Sequence, residues 1–193
     1  MRRSRRTGRA WSGRCDRGMG TLTKNVFLVG FMGVGKTTVA RRLARDLGVA
    51  SIDVDAYLHR KYGKDANQLF KQRGEKGLRR AESCAFAEGC AMGPAVISCG
   101  EGIVVAPKNR GLLRNEGFTV LLESSAEGSL ARVRSYKTRP LLASGCDTDK
   151  LWDDRKPLYE EVADVIVDVR EKGTACVAHE ITEILKAEGV YRV

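Results

Sequence analysis

Residues 25–38 read Asn-Val-Phe-Leu-Val-Gly-Phe-Met-Gly-Val-Gly-Lys-Thr-Thr, a short apolar run that breaks at Gly30 and closes on G-x-x-x-x-G-K-T where helical spacing begins. Such spacing suits the capture of a polyphosphate. A strand that stops abruptly against a helix start lines up successive backbone N–H groups, and with the positive end of the helix dipole these surround phosphate oxygens. Gly33, Val34, Gly35, Lys36, Thr37 and Thr38 form the expected cradle. Lys36 reaches the outer phosphates as a point charge, and the Thr37 hydroxyl faces the magnesium ion that travels with a nucleoside triphosphate. A glycine-rich turn with a surface lysine is the plainer alternative, disfavoured by the strand-loop-helix setting.

Two carboxylates come next. Ser51-Ile52-Asp53-Val54-Asp55 reads as the tip of a strand, and alternation along an extended segment turns Asp53 and Asp55 to one side. At the ligand end of a parallel sheet, one such acid can hold a magnesium-bound water and the other can accept the proton of an attacking hydroxyl. Two aspartates capping a helix that starts at Ala56 is the competing explanation.

Further along, Gly74-Glu75-Lys76-Gly77-Leu78-Arg79-Arg80-Ala81-Glu82 places a glycine break between helical stretches. Arg79 there can clamp a carboxylate bidentately, although an arginine in isolation is more often a surface residue. Ala95-Val96-Ile97-Ser98 is a strand that ends in the turn Cys99-Gly100-Glu101-Gly102. Ser135-Tyr136-Lys137-Thr138-Arg139-Pro140-Leu141-Leu142-Ala143-Ser144-Gly145 is polar and punctuated by Gly and Pro, which suits a mobile lid over about residues 134–148, with Arg139 closing on the phosphates. Arg155-Lys156-Pro157-Leu158-Tyr159-Glu160-Glu161-Val162-Ala163-Asp164 lies on a helix before the last strand.

These groups need a frame. Val26–Val29, Val96–Ser98, residues 118–122 and Val165–Val167 are short apolar or β-branched runs, separated by stretches with helical spacing. Val39, Leu43, Ala44 and Leu47 mark one helix face ending near Gly48; residues 65–91, 126–135 and 175–188 supply further helices. Alternation of this kind predicts an α/β fold with a parallel sheet covered by helices. At 193 residues the chain suits one domain, and no apolar stretch approaches the roughly 20 residues a membrane span needs. We therefore expect a soluble protein with no membrane partner.

The formal charge of +10 invites a nucleic-acid reading, but seven arginines and one aspartate in residues 1–19 carry +6 of it, leaving +4 for the other 174 residues. A disordered Arg-rich extension over residues 1–20 and one domain over 21–193 are expected. The extension is read as a solvated segment or misassigned start with Met19 as initiator, as a targeting segment, or as a tether to an anionic surface. Six cysteines, Cys15, Cys84, Cys90, Cys99, Cys146 and Cys176, show no C-x-x-C pair and have only His59 and His179 to join them, which argues against structural zinc and for reduced, mostly buried thiols in the cytoplasm.

In order, GFMGVGKTT, D-V-D, G-E-x-x-x-R-x-x-E, a glycine turn after a strand, R-P-L-L and R-x-P-L-Y-x-E-V-A-D resemble the shikimate kinase family across about residues 24–190. The resemblance implies a P-loop, nucleoside monophosphate kinase-like fold: a three-layer α/β/α arrangement on a five-stranded parallel sheet, with substrate-binding helices over about residues 54–92 and a lid. It implies Mg-ATP-dependent phosphorylation of the 3-hydroxyl of shikimate by a monomer, in the route to chorismate and aromatic amino acids, with no specific nucleic-acid partner. Lys36 and Thr37 match the family's phosphate lysine and magnesium hydroxyl, and Asp53 the carboxylate on the metal's water shell. Asp55 matches the residue that holds the substrate hydroxyls and serves as base, Arg79 and Arg155 the arginines on the shikimate carboxylate, Arg139 the lid arginine, and Arg132 an arginine beside the adenine.

The chain departs from the family at Gly100-Glu101-Gly102, where three glycines are usual and the middle one lies against shikimate, and at Leu78 in place of a phenylalanine. A glutamate at position 101 is strained if the position needs positive φ, and its charge opposes a substrate carboxylate or crowds Asp55. Three outcomes stand: Glu101 turns to solvent at some cost in shikimate affinity, the pocket takes another polyol or acid in the manner of a gluconate kinase, or the chain binds nucleotide without turnover.

Overall fold

The computed structural model describes residues 20–124 and 147–193. Its centre is a parallel sheet built from β2 (Asn25–Val29), β3 (Ser51–Asp53), β4 (Val96–Ser98), β5 (Gly117–Glu123) and β6 (Val165–Asp168), in the spatial order β3-β4-β2-β5-β6. The five-stranded parallel expectation holds. Register runs Val26 to Val96 and to Phe118, so β2 is hydrogen-bonded on both sides and fully buried. A run such as Val-Phe-Leu-Val has no polar face because helices cover both sides of it.

Alternation along β2 feeds two cores. Val26 and Leu28 join Val120, Leu122 and Val167 beneath α1 (Lys36–Leu47) and α6 (Thr174–Ala187), whose Val39, Leu43, Ala178 and Ile181 complete that layer. Phe27 and Val29 join Ile97 and Leu121 on the opposite face, under α2 (Val54–Tyr62), α3 (Ala66–Cys90), α4 (Pro107–Asn115) and α5 (Thr148–Val162). There Phe27 meets Phe86 edge to face, with ring centroids 5.3 Å apart.

Helix α1 ends at Gly48 in the left-handed region, as its periodicity predicts. Helix α3 is broken at Gly74, whose φ of 63° and ψ of −176° are not helical, so the expected glycine break is a kink between two helical segments. The stretch from Ile103 to Asn115 carries helix that the periodicity reading did not place: a 3-10 turn over Ile103–Val105, then α4 with Pro107 in its first turn. Two short strands, β1 (Thr21–Leu22) and β7 (Tyr191–Arg192), pair antiparallel and tie the ends of the described chain together. The expected helix over 126–135 lies outside the described residues, and among those described no helix is long and apolar enough to cross a membrane.

A buried amide joins the start of the sheet to its surroundings. Asn25 accepts from the Ala95 N–H at 3.1 Å and donates to the carbonyls of Cys90 at 3.3 Å and Glu116 at 3.4 Å, holding both ends of the α3–β4 connection and the α4–β5 connection from one side chain. Replacing it leaves buried backbone groups without partners. Asn25→Ala is expected to destabilise the fold by roughly 2 kcal/mol or more, read as a lower urea midpoint at unchanged slope.

Candidate active site

The loop between β2 and α1 starts at Gly30, whose φ of 140° and 2.5 Å approach of a notional Cβ to the Leu122 carbonyl exclude any side chain. Its far end is Gly35, N-cap of α1 in the left-handed region, with no side-chain cap and no acidic residue in the helix's first turn. The N–H groups of that turn and the dipole are therefore left to an anion. Lys36 lies back over the loop, donating to the carbonyls of Gly30 at 2.7 Å and Phe31 at 2.8 Å, and Phe31 itself packs edge to face on Trp152 of α5 at 5.3 Å. Gly33, Val34, Thr37 and Thr38 all lie in this loop and helix start, as expected.

Asp53 and Asp55 sit differently from the extended pair that alternation suggests. The strand stops at Asp53 and α2 begins at Val54, so Asp55 occupies the first turn of a helix. Asp53 is the helix N-cap, its Oδ1 accepting from the Ala56 N–H at 2.9 Å, while its Oδ2 accepts from the Thr37 hydroxyl at 2.7 Å. Asp53 thus caps the helix with one oxygen and meets the phosphate loop with the other. Ser98, at the end of β4, brings its hydroxyl to 3.4 Å from that of Thr37, a neighbour that sequence spacing did not single out.

Asp55 is open to solvent on one side and walled by protein on the others, as a group lining a concave cleft is. Desolvation by those walls pushes its pKa up to about 6, with Asp53, Glu82 and Glu101 adding repulsion and Lys36 opposing it.

One short turn gathers the rest. A Cβ on Gly100 would stand 2.7 Å from Asp55 Oδ1, and one on Gly102 would overlap the Arg79 guanidinium. Between them, the Glu101 carbonyl accepts from the Tyr159 hydroxyl at 2.7 Å, and Glu101 Oε1 lies 3.6 Å from Arg155 Nη1. Consecutive residues are about 3.8 Å apart, so Asp55, Arg155 and Arg79 converge on one turn. Arg79 donates to Glu82 at 2.7 Å and more loosely to Glu75 at 3.4 Å. Burial works against its charge, but Glu82, Glu75 and Glu101 outweigh that and hold the guanidinium firmly protonated. Arg79 Nε and Arg155 Nη1 are buried without a hydrogen-bond acceptor among the described residues.

Two expectations about Glu101 are overturned. Among the described residues the only non-glycine with positive φ is Glu171, so residue 101 needs no left-handed backbone. Its side chain is 13% exposed and directed at Arg155, not turned to solvent, because Tyr159, one helical turn on from Arg155, fixes the residue's carbonyl. Glu82 and Tyr159 belong to quoted motifs but had no assigned role; Glu82 pairs with Arg79 one helical turn away, whereas the partner of Tyr159 lies 58 residues distant, where only the fold brings it. Leu78 is buried in the core beneath the substrate-side helices. Arg132, Arg139 and the lid up to residue 146 lie outside the described residues, as do Cys15 and Cys146; Cys84, Cys90, Cys99 and Cys176 are free thiols.

A phosphate-binding loop off the central strand of a five-stranded parallel sheet, beside a pocket of one acid and two buried arginines, defines a P-loop kinase acting on a small molecule. The comparisons narrow the class. A family model described as Shikimate kinase matches residues 32–186. Shikimate kinase of Vibrio cholerae is 37% identical over 166 residues, covering 84% of this chain and 95% of its own. That of Pseudomonas paraeruginosa is 39% identical over 165 residues, covering 84% and 96%. A solved structure of shikimate kinase from Acinetobacter baumannii in complex with shikimate superposes with a TM-score of 0.80 at 32% identity, covering 86% of this chain and 94% of that one. The chain belongs to the shikimate kinase family.

The raised Asp55 pKa has a thermodynamic consequence of definite sign. Between pH 3.8 and about 6 the folded protein holds a proton that the unfolded chain has released, so this group's cost to stability grows through that window and is complete above it. A fully shielded carboxyl would cost about 3 kcal/mol, and water on the open side reduces this to on the order of 1 kcal/mol. Asp55→Asn is expected to raise the urea midpoint at about pH 7.5 and to lose that advantage near pH 4. Equal midpoints for the two proteins at the higher pH would contradict this account.

Proposed function

We infer that this protein transfers the γ-phosphoryl group of ATP to the 3-hydroxyl of shikimate, acting as a monomeric, cytoplasmic enzyme of aromatic amino acid biosynthesis. One observation carries the reading. Arg79 and Arg155, both largely buried, converge on the turn that touches Asp55, and each keeps one N–H without an acceptor among the described residues. Buried guanidinium N–H groups without acceptors are costly, and a carboxylate on a small ring supplies them. A neutral polyol offers them only hydroxyl oxygens, weaker partners for a guanidinium than a carboxylate, so a neutral acceptor is less well supported. Retention of both arginines and Asp55 likewise speaks against a nucleotide-binding remnant without turnover.

In this reading the acceptor's carboxylate lies on Arg79 and Arg155, which turns its hydroxyls toward Asp55. Gly100 and Gly102 permit that approach, since a side chain on either would displace Asp55 or Arg79. Asp55, with a pKa near 6, is ionised at neutral pH yet basic enough to accept the hydroxyl proton. Lys36 leaves its carbonyl partners for the β- and γ-phosphates, which the N–H groups of Gly33 to Thr38 also bind. Arg139 and Arg132 complete the assignment as the lid cation and the arginine beside the adenine.

Magnesium fits the residues present. Thr37 and Asp53 offer a hydroxyl and a carboxylate already 2.7 Å apart, hard oxygen donors beside the phosphate cradle. Among the described residues no cluster of three or more His, Cys, Asp or Glu could hold a metal alone, which suits an ion that arrives with nucleotide. When bound, it neutralises developing charge on the phosphoryl oxygens.

ADP release coupled to a spectrophotometric readout should depend on shikimate and be near background with gluconate or without acceptor. Turnover that ignores shikimate would sink the assignment. In the wild type, log kcat/KM is expected to fall with slope one below about pH 6 as Asp55 takes up its proton, and Asp55→Asn should lower kcat by about 100-fold or more. The catalytic unit is residues 21–193, so deleting residues 2–18 should leave kcat and KM within about twofold.

A further inference from the structure

Glu101 occupies the acid-binding end of the pocket with an acid of its own. Its carboxylate, 13% exposed, lies 3.6 Å from Nη1 of Arg155, whose side chain is 5% exposed. Its charge also reaches Arg79, Glu82 and Asp55, so it acts across the whole acceptor side. The placement is imposed. Arg155 and Tyr159 stand one turn apart on α5 and take residue 101 at two points, side chain and carbonyl. Neighbouring positions cannot share the burden, because a side chain on Gly100 or Gly102 would strike Asp55 or Arg79.

The charge count around the turn follows. Arg79 pairs with Glu82 and Arg155 with Glu101, while Asp55 stands against the same turn, so among the described residues the acceptor side has more carboxylates than guanidinium groups. At 3.6 Å the contact is an ion pair too long to be a hydrogen bond, and Arg155 Nη1 has no acceptor among the described residues. The resident carboxylate therefore neutralises the arginine without saturating it.

Building on the assignment of shikimate as acceptor, we propose that Glu101 is a specificity-determining residue, an internal counter-ion that an incoming carboxylate must displace from Arg155. Binding of the acid then breaks one ion pair to form another and brings two like charges together while it does so. The cost falls chiefly on acceptor affinity, since Glu101 is the smallest of the charges acting on Asp55, behind Asp53, Glu82 and Lys36. It also weakens the pocket's preference for an acid over a neutral analogue of the same shape.

The test compares wild type, Glu101→Gln and Glu101→Gly with shikimate and with its neutral methyl ester, at saturating Mg-ATP. Glu101→Gln keeps the side chain's bulk, so loss of charge is separated from loss of volume, and thermal melts with and without ADP show that each variant folds and binds nucleotide. For both variants KM for shikimate should fall about tenfold or more with kcat within about twofold, and the preference for shikimate over the ester, as a ratio of kcat/KM, should rise by a similar factor. An unchanged shikimate KM in a folded Glu101→Gln that turns over would overturn the proposal, as would equal gains for acid and ester. If no form phosphorylates shikimate, the assigned activity fails first, and the counter-ion role with it.

Discussion

A side chain on either flank of the turn that follows β4 would displace Asp55 or Arg79, and the acceptor side of the site is organised by that restriction. Gly100 lets Asp55 come close, Gly102 does the same for the Arg79 guanidinium, and the residue between them is held by α5 through Tyr159 and Arg155. Three groups from three separate helices are thereby brought to one short piece of backbone. The turn can hold this position because it leaves a strand fixed on both sides by parallel neighbours.

The nucleotide side is built by the same means at an adjacent strand end. Gly30 allows the chain to pass the Leu122 carbonyl, and the helix that follows offers an uncapped, acid-free N-terminus. Neighbouring strands β2 and β4 thus supply the two halves of the reaction from one edge of the sheet, with Ser98 and Thr37 in contact at the seam. Helix α5 spans both halves, Trp152 on Phe31 of the phosphate loop and Arg155 on Glu101.

Much of this was legible in the sequence where a signal is local. The strand-glycine-helix pattern at 25–38 marks a phosphate cradle because each residue's role depends on its immediate neighbours, and the break at Gly74 is a backbone property of one residue. The D-V-D segment was misread as extended because alternation and helix capping use the same residues; capping prevails where the Asp53 carboxylate meets the Ala56 N–H. The disposition of Glu101 was not legible at all, since its partner lies 54 residues away on α5, and neither was the bridging by Asn25, whose three partners come from two distant connections. The helical stretch at 103–115 escaped because its apolar positions are few and its start is marked by a proline rather than by a capping side chain.

Asp53 spends its two oxygens on different tasks, one on the first turn of α2 and the other on the threonine of the phosphate loop. Loss of the side chain at this position therefore disturbs both the secondary structure that carries Asp55 and the contact with Thr37 of the phosphate loop. Truncation at residue 53 is pleiotropic by construction, whereas Asp53→Asn keeps an oxygen for the Ala56 N–H and removes the charge alone.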